Sequence, residues 1–145
     1  MGKLESVEQA VGRLMSARFS GVELGPGYEK ALKDGFIGGM VFYKENATKA
    51  RQLIDLIDRV ESTSPYPVIL SVDQEGGAVQ RFDHFLTPIP SAMALAAAGR
   101  VETVQEIYRL NALQCKLLGF NCILAPVIDV LQNVKRCDAV NTVVW

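Results

Sequence analysis

Cysteine is scarce in this chain. There are three, Cys115, Cys122 and Cys137, an odd number with no C-x-x-C spacing. That pattern argues against a disulfide framework and against a zinc site, and it leaves Cys115 and Cys122 as small buried apolar residues. A surplus of either charge is also missing, since 15 Lys plus Arg face 16 Asp plus Glu and the net charge is −1. Without a basic surplus there is nothing to neutralise phosphates, so nucleic acid and a charged membrane surface are excluded as partners. No apolar run approaches the ~20 residues that span a bilayer. The first fifteen residues carry charges throughout and lack the apolar stretch of a signal peptide. The expectation is a soluble, cytoplasmic protein. Internal repeats beyond an alternation of element types, and low-complexity segments, are absent as well.

What is present is globular. Hydrophobic residues make up 49% of the 145 and charged residues 21%, enough for one ordinary domain with a sizeable core. Val7, Ala10, Val11 and Leu14 recur at helical spacing, and Ser6 with Gln9 has the spacing of a capping box. A short first strand follows within 15–20. Gly25-Pro26-Gly27 breaks the chain, and a helix from Tyr28 to Lys33 ends at Gly35. Met40 to Tyr43 reads as a strand. Asn46 caps a helix from Ala47 to about Glu61, with Ala50, Leu53, Ile54, Ile57 and Val60 facing inward. Asn46-Ala47-Thr48 also fits a glycosylation sequon, which matters only in a eukaryotic secretory setting.

Pro65 and Pro67 forbid continuation of that helix. Val68 to Val72 is β-branched and nearly all apolar, as a strand buried on both faces should be. A long connection over 73–99 holds a short helical stretch from Ala92 to Ala98. A helix from about Glu102 to Leu118 turns Val104, Ile107, Tyr108, Ala112, Cys115 and Leu118 inward and ends at Gly119. Cys122 to Ala125 is a further strand. About four short apolar strands alternating with amphipathic helices imply an α/β fold, a parallel sheet covered by helices.

Ligands bind at the C-terminal ends of such strands. The connection after the third strand is far longer than the usual ~2–6 residues, and long ordered loops are often functional. Asp73 leaves that strand at the binding face, Gly76 and Gly77 permit a tight backbone path, and Arg81 can return as a fixed cation. A carboxylate and a guanidinium facing one cleft suit a polyhydroxylated ligand, the first accepting from hydroxyls and the second donating to them. The same pair read without a ligand is a structural ion pair that pins the loop.

Four blocks stand in a telling order: Gly38 to Phe42, Val68 to Arg81 with its Asp73-Gln74-Glu75-Gly76-Gly77 core, Pro90 to Ala96, and Leu118 to Val130. Together they resemble family 3 glycoside hydrolases, especially the bacterial β-N-acetylhexosaminidases. The resemblance implies the N-terminal half of a TIM-type (β/α)8 barrel over residues 1–130, with 131–145 as a divergent tail. It implies a retaining mechanism that releases terminal β-N-acetylhexosamine through a covalent glycosyl-enzyme, with no cofactor and no metal. Asp73 and Arg81 match residues that bind hydroxyls of the terminal sugar, and Asp129 matches an aspartate that helps shape the pocket. Glu75 matches no acid of the family and is expected to bond within its loop.

The resemblance then lapses. The family continues with an Asn- and Pro-rich turn and an Arg-Ser-Phe motif, where this chain reads Leu131 to Trp145. The family's histidine acid/base and aspartate nucleophile have no counterpart, and the tail reads as a truncation or a change of frame. His84, the one histidine, lies in the wrong block to replace the acid/base. Tyr43 and Trp145 could stack on a sugar, with packing as the alternative. The expectation is a hexosaminidase by descent that is inactive as this chain, with no catalytic residue of its own. The alternative is a sugar-binding remnant or interaction module. Half a barrel also leaves two open sheet edges and an uncovered interior, so self-association is expected.

Overall fold

The computed structural model describes residues 6–130. Four strands form one parallel sheet: β1 (Ser16–Arg18), β2 (Gly39–Phe42), β3 (Ile69–Val72) and β6 (Cys122–Ile123), side by side in that order. Between them run α2 (Pro26–Lys33), α3 (Ala50–Thr63) and α5 (Val101–Leu117), preceded by α1 (Val7–Gly12). The long third connection contains a two-stranded antiparallel ribbon, β4 (Gln74–Gly76) with β5 (Val79–Gln80), and α4 (Ala92–Ala97). The expected alternation of four parallel strands with helices is what the chain forms. The ribbon is an addition, and it makes an ordered structure of what reads as a loop.

Register decides which side chains share a face. Ala17, Met40 and Leu70 lie abreast, as do Phe42, Val72 and Ile123 one pleat further along. These point into one apolar cluster with Leu53, Leu56, Ile57 and Val60 of α3 and Cys115 of α5. Fully burying each such Leu, Ile, Val or Phe stabilises the fold by about 1.5–3 kcal/mol. Phe42 sits at the centre of an aromatic chain. Its ring meets Phe19 at 5.6 Å and Phe120 at 5.4 Å edge-on, and Phe120 stacks on Phe82 at 5.8 Å.

The opposite face of the sheet is not covered by these helices. Ile69 is 53% exposed and Leu124 47% exposed on that side. Asn121 joins β3 to the start of β6 by accepting from Leu70 N (2.8 Å) and donating to Val68 O (2.8 Å).

Several expectations are corrected. Ser6 does cap α1 by accepting from Gln9 N, but the helix ends at Gly12 and its apolar stripe faces out, with Val7 76% and Leu14 86% exposed. The helix docks instead through Gly12, where any side chain would collide with the backbone of Phe36. Asn46 does not cap α3, which starts three residues later than expected, at Ala50, with Lys49 as N-cap. Asn46 ends a 3₁₀ turn (Lys44–Asn46) and is fully buried. Its oxygen accepts from Tyr43 N (2.7 Å), and its amide donates to Phe19 O (3.0 Å) and Gly21 O (2.8 Å). A short polar side chain satisfied by backbone on three sides fixes a turn better than it starts a helix. On α5, Ala112 is exposed while Asn111 is buried, so the inner face passes through a polar residue. The tail from 131 to 145, with Cys137 and Trp145, lies outside the described residues.

Candidate functional site

The same register that builds the core aims other side chains at the open face. Arg18, Val41, Ser71 and Cys122 lie abreast. Two residues beyond Val41 and Ser71 stand Tyr43 and Asp73, so alternation puts Arg18, Tyr43 and Asp73 on one face at the C-terminal ends of three neighbouring strands. This is the end at which parallel α/β sheets bind ligands.

The glycine pair reverses the chain so that residue 81 returns beside residue 73. Gly76 (φ +100°) and Gly77 (φ +60°) both take left-handed backbone that favours glycine. Side chains there would also strike Pro90 O and the Ser91 side chain. The ribbon that results pairs Gln74 with Gln80. Gln74, fully buried, accepts from Arg81 N (3.0 Å). Behind the ribbon, Gly77 N donates to Ile89 O (3.0 Å), and Gln80 Oε1 accepts from Ile89 N (2.8 Å). From below, α5 holds two successive carbonyls: Asn111 Nδ2 donates to Gln74 O (2.7 Å) and Tyr108 Oη to Glu75 O (2.9 Å). Phe82, the residue after Arg81, is fully buried in the aromatic chain and anchors the returning strand. Lys44, which opens the 3₁₀ turn after β2, pairs with Asp83 at 2.9 Å on the far side.

Asp73 and Arg81 come together as a direct ion pair, the arrangement that the ligand-free reading of the two residues also describes. Arg81 donates to one oxygen of Asp73, Nη2 at 2.6 Å and Nε at 3.2 Å. The side chains are 18% (Asp73) and 32% (Arg81) exposed, so the pair is partly shielded from solvent. Asp73 Oδ1 accepts no hydrogen bond from the described residues, so a lone-pair edge remains for a hydroxyl.

Glu75 lies two residues past Asp73. Its Oε2 is buried without a hydrogen-bond partner. Burial, and secondarily the Asp73 carboxylate, pushes its carboxyl above the usual range, with Arg81 pulling back. The expected bonding within the loop is not what forms: the backbone carbonyl of Glu75 accepts from Tyr108 of α5, outside the loop, and its Oε2 has no partner. Asp129, six residues past Ile123, is exposed and makes no ion pair or hydrogen bond with Asp73 or Arg81. His84 packs edge-on against Phe85 at 4.3 Å, with Asp83 3.7 Å away. Cys115 is buried, its thiol pushed up to about 11 by desolvation, and Cys122 is half-buried; both are free thiols. Among the described residues no cluster of His, Cys, Asp and Glu could hold a metal ion, and no helix is long and apolar enough to cross a membrane.

Three contributors escape a reading by residue type: Asn46, Phe82 and Asn111. The available signal was Asn111 itself, a polar residue three after Tyr108 and four before Cys115 on one helical stripe.

The glycosyl hydrolase family 3 N-terminal domain matches residues 6–142. A β-hexosaminidase of Xylella fastidiosa is 32% identical over 104 residues, which are 68% of this chain and 31% of that protein. A β-hexosaminidase of Glaesserella parasuis is 30% identical over 110 residues, 76% of this chain and 32% of that protein. A glycoside hydrolase family 3 β-N-acetylglucosaminidase structure from a Paenibacillus species aligns with a TM-score of 0.83 at 30% identity, over 88% of this chain and 25% of that one. NagZ from Neisseria gonorrhoeae aligns with a TM-score of 0.70 at 26% identity, over 79% of this chain and 37% of that one. The chain spans about a third of the length of the curated relatives it matches.

Proposed function

Because this chain belongs to glycosyl hydrolase family 3, we propose that it forms the sugar-gripping part of an enzyme that hydrolyses O-glycosyl bonds and releases terminal β-N-acetylhexosamine. The observation that carries the proposal is the half-buried Asp73–Arg81 pair at the C-terminal end of β3. Asp73 Oδ1 accepts from one sugar hydroxyl, and the guanidinium edge of Arg81 that Asp73 leaves free donates to a neighbouring one. Asp129, exposed past β6, forms part of the wall around the same sugar. The β-hexosaminidase names carried by the relatives support the choice of substrate class.

Retaining hydrolysis needs a nucleophile and an acid/base flanking the scissile bond, about 5–5.5 Å apart when both are carboxylates. Neither role falls to a residue of this site. Asp73 is held by a guanidinium that stabilises its charge and lowers its nucleophilicity, and the Glu75 carboxyl is turned into the fold with a buried oxygen. The chain alone therefore binds sugar and does not turn it over. Calorimetry with N-acetylglucosamine, beside an assay with an aryl N-acetylglucosaminide, tests both halves. The expected result is binding without hydrolysis. Absence of heat at millimolar sugar overturns the binding site, and turnover that Asp73→Ala abolishes overturns the assignment of no catalytic role.

A further inference from the structure

The ring of Tyr43 is flanked by two cations. The Arg18 guanidinium carbon lies 4.4 Å from its centroid and that of Arg81 4.9 Å. Each guanidinium already has its own carboxylate, Glu45 for Arg18 (2.9 Å) and Asp73 for Arg81 (2.6 Å). The ring thus completes a row across the ends of β1, β2 and β3, running Glu45, Arg18, Tyr43, Arg81, Asp73. A ring that serves as a platform for a sugar needs a clear face, and this ring is occupied by guanidinium groups within the distance at which cation–π attraction operates. Its backbone is fixed as well. Tyr43 follows directly on β2, and its N–H donates to the fully buried Asn46 (2.7 Å).

We infer that Tyr43 is a positioning residue: its aromatic face holds the Arg81 guanidinium in the plane that grips Asp73 and presents the remaining donors to the ligand. The hydroxyl of Tyr43 has no part in this, because the attraction comes from the ring quadrupole. The ligand half of the inference rests on the sugar-binding reading above. The positioning half does not, since the orientation of Arg81 is a property of the free chain.

The test follows the Arg81 Nε–H proton by nuclear magnetic resonance, and affinity for N-acetylglucosamine, in Tyr43→Leu, in Tyr43→Phe and with a ring-fluorinated phenylalanine at position 43. Tyr43→Leu is expected to speed exchange of the Arg81 Nε–H and to weaken binding about 3- to 10-fold. Tyr43→Phe keeps both, and fluorination, which drains the ring quadrupole at nearly constant shape, moves both toward the leucine variant. Unchanged exchange in Tyr43→Leu, or equal damage from Tyr43→Phe, overturns the inference. Should the leucine variant fail to fold, the fluorinated series decides alone. Should the wild-type chain bind no sugar, the proposed function falls while the exchange comparison still decides the role of Tyr43.

Discussion

Arg81 grips Asp73 by a single oxygen: Nη2 and Nε both converge on Oδ2, at 2.6 and 3.2 Å. A two-oxygen fork would have occupied a lone pair on each oxygen. This geometry leaves Oδ1 for a ligand. Asp73→Asn and Asp73→Ala are both expected to weaken N-acetylglucosamine binding by about 10- to 100-fold, the scale of a lost hydrogen bond to a charged group. Arg81→Lys should do comparable damage, because an ammonium cannot reproduce the planar arrangement of Nε and Nη2. Calorimetric titration of the three variants checks this.

The carbonyls of residues 74 and 75 hang from α5 by side chains of unequal burial. Asn111 is buried and its amide donates to Gln74 O at 2.7 Å. Tyr108 is half-buried and donates to Glu75 O. Asn111→Ala strands a buried carbonyl and is expected to destabilise the chain by about 1–3 kcal/mol, whereas Tyr108→Phe should lose about 0.5–1.5 kcal/mol. Denaturant titration of the two variants should give that order, and a costlier Tyr108→Phe would contradict the assigned roles.

Glu75 gives the chain an acid-side signature. Burial raises its carboxyl in the fold, chiefly through desolvation and then through Asp73. The folded state therefore holds this proton more tightly than the unfolded state does. Stability falls as pH climbs from the ordinary glutamate value near 4.3 through the raised one, and the full penalty applies above it. Glu75→Gln is expected to raise the melting temperature at neutral pH and to give little or no gain below about pH 4. Melting curves at the two pH values measure the difference.

Self-association should follow from the open sheet. Among the described residues, β1 and β6 each have one edge with no strand beside it, and Ile69 and Leu124 lie exposed on the face that the helices do not cover. Unpaired edges and exposed apolar surface favour pairing with another chain. The 145-residue chain alone is expected to sediment as a dimer or larger species, and Leu124→Lys should shift it toward monomer. A monodisperse wild-type monomer with a cooperative melt would sink this expectation.

Much of this was legible in the sequence because the signals are local. The β-branched, apolar run from Val68 to Val72 announces β3, and Gly76-Gly77 after Asp73 forecasts the reversal that returns Arg81. What escaped depends on neighbours distant in the chain. The stripe of α1 has correct helical spacing, yet it is Gly12 that docks, against Phe36, and no periodicity reports that contact. Asn46 has the residue type of a helix cap, but its partners, Phe19 and Gly21, lie more than twenty residues earlier. Tyr43 carries two readings in sequence, stacking and packing, and the guanidinium groups over its ring come from β1 and from the end of the ribbon beside Asp73. Asp129 entered only through the resemblance, and the chain places it exposed past β6, without an ion pair or hydrogen bond to Asp73 or Arg81.

The buried amide of Asn46 also bears on how the chain can be produced. Oligosaccharyl transfer acts on an Asn-X-Thr acceptor while the polypeptide is still extended, before the amide can be enclosed. A glycan added there would remove a donor proton serving Phe19 O or Gly21 O, and a bulky hydrated group could not enter a fully enclosed position. Routed through a eukaryotic secretory host, the chain would be trapped in a form that cannot close its β1–α2 connection. The same polypeptide made in a bacterial host, without that modification, keeps the site intact.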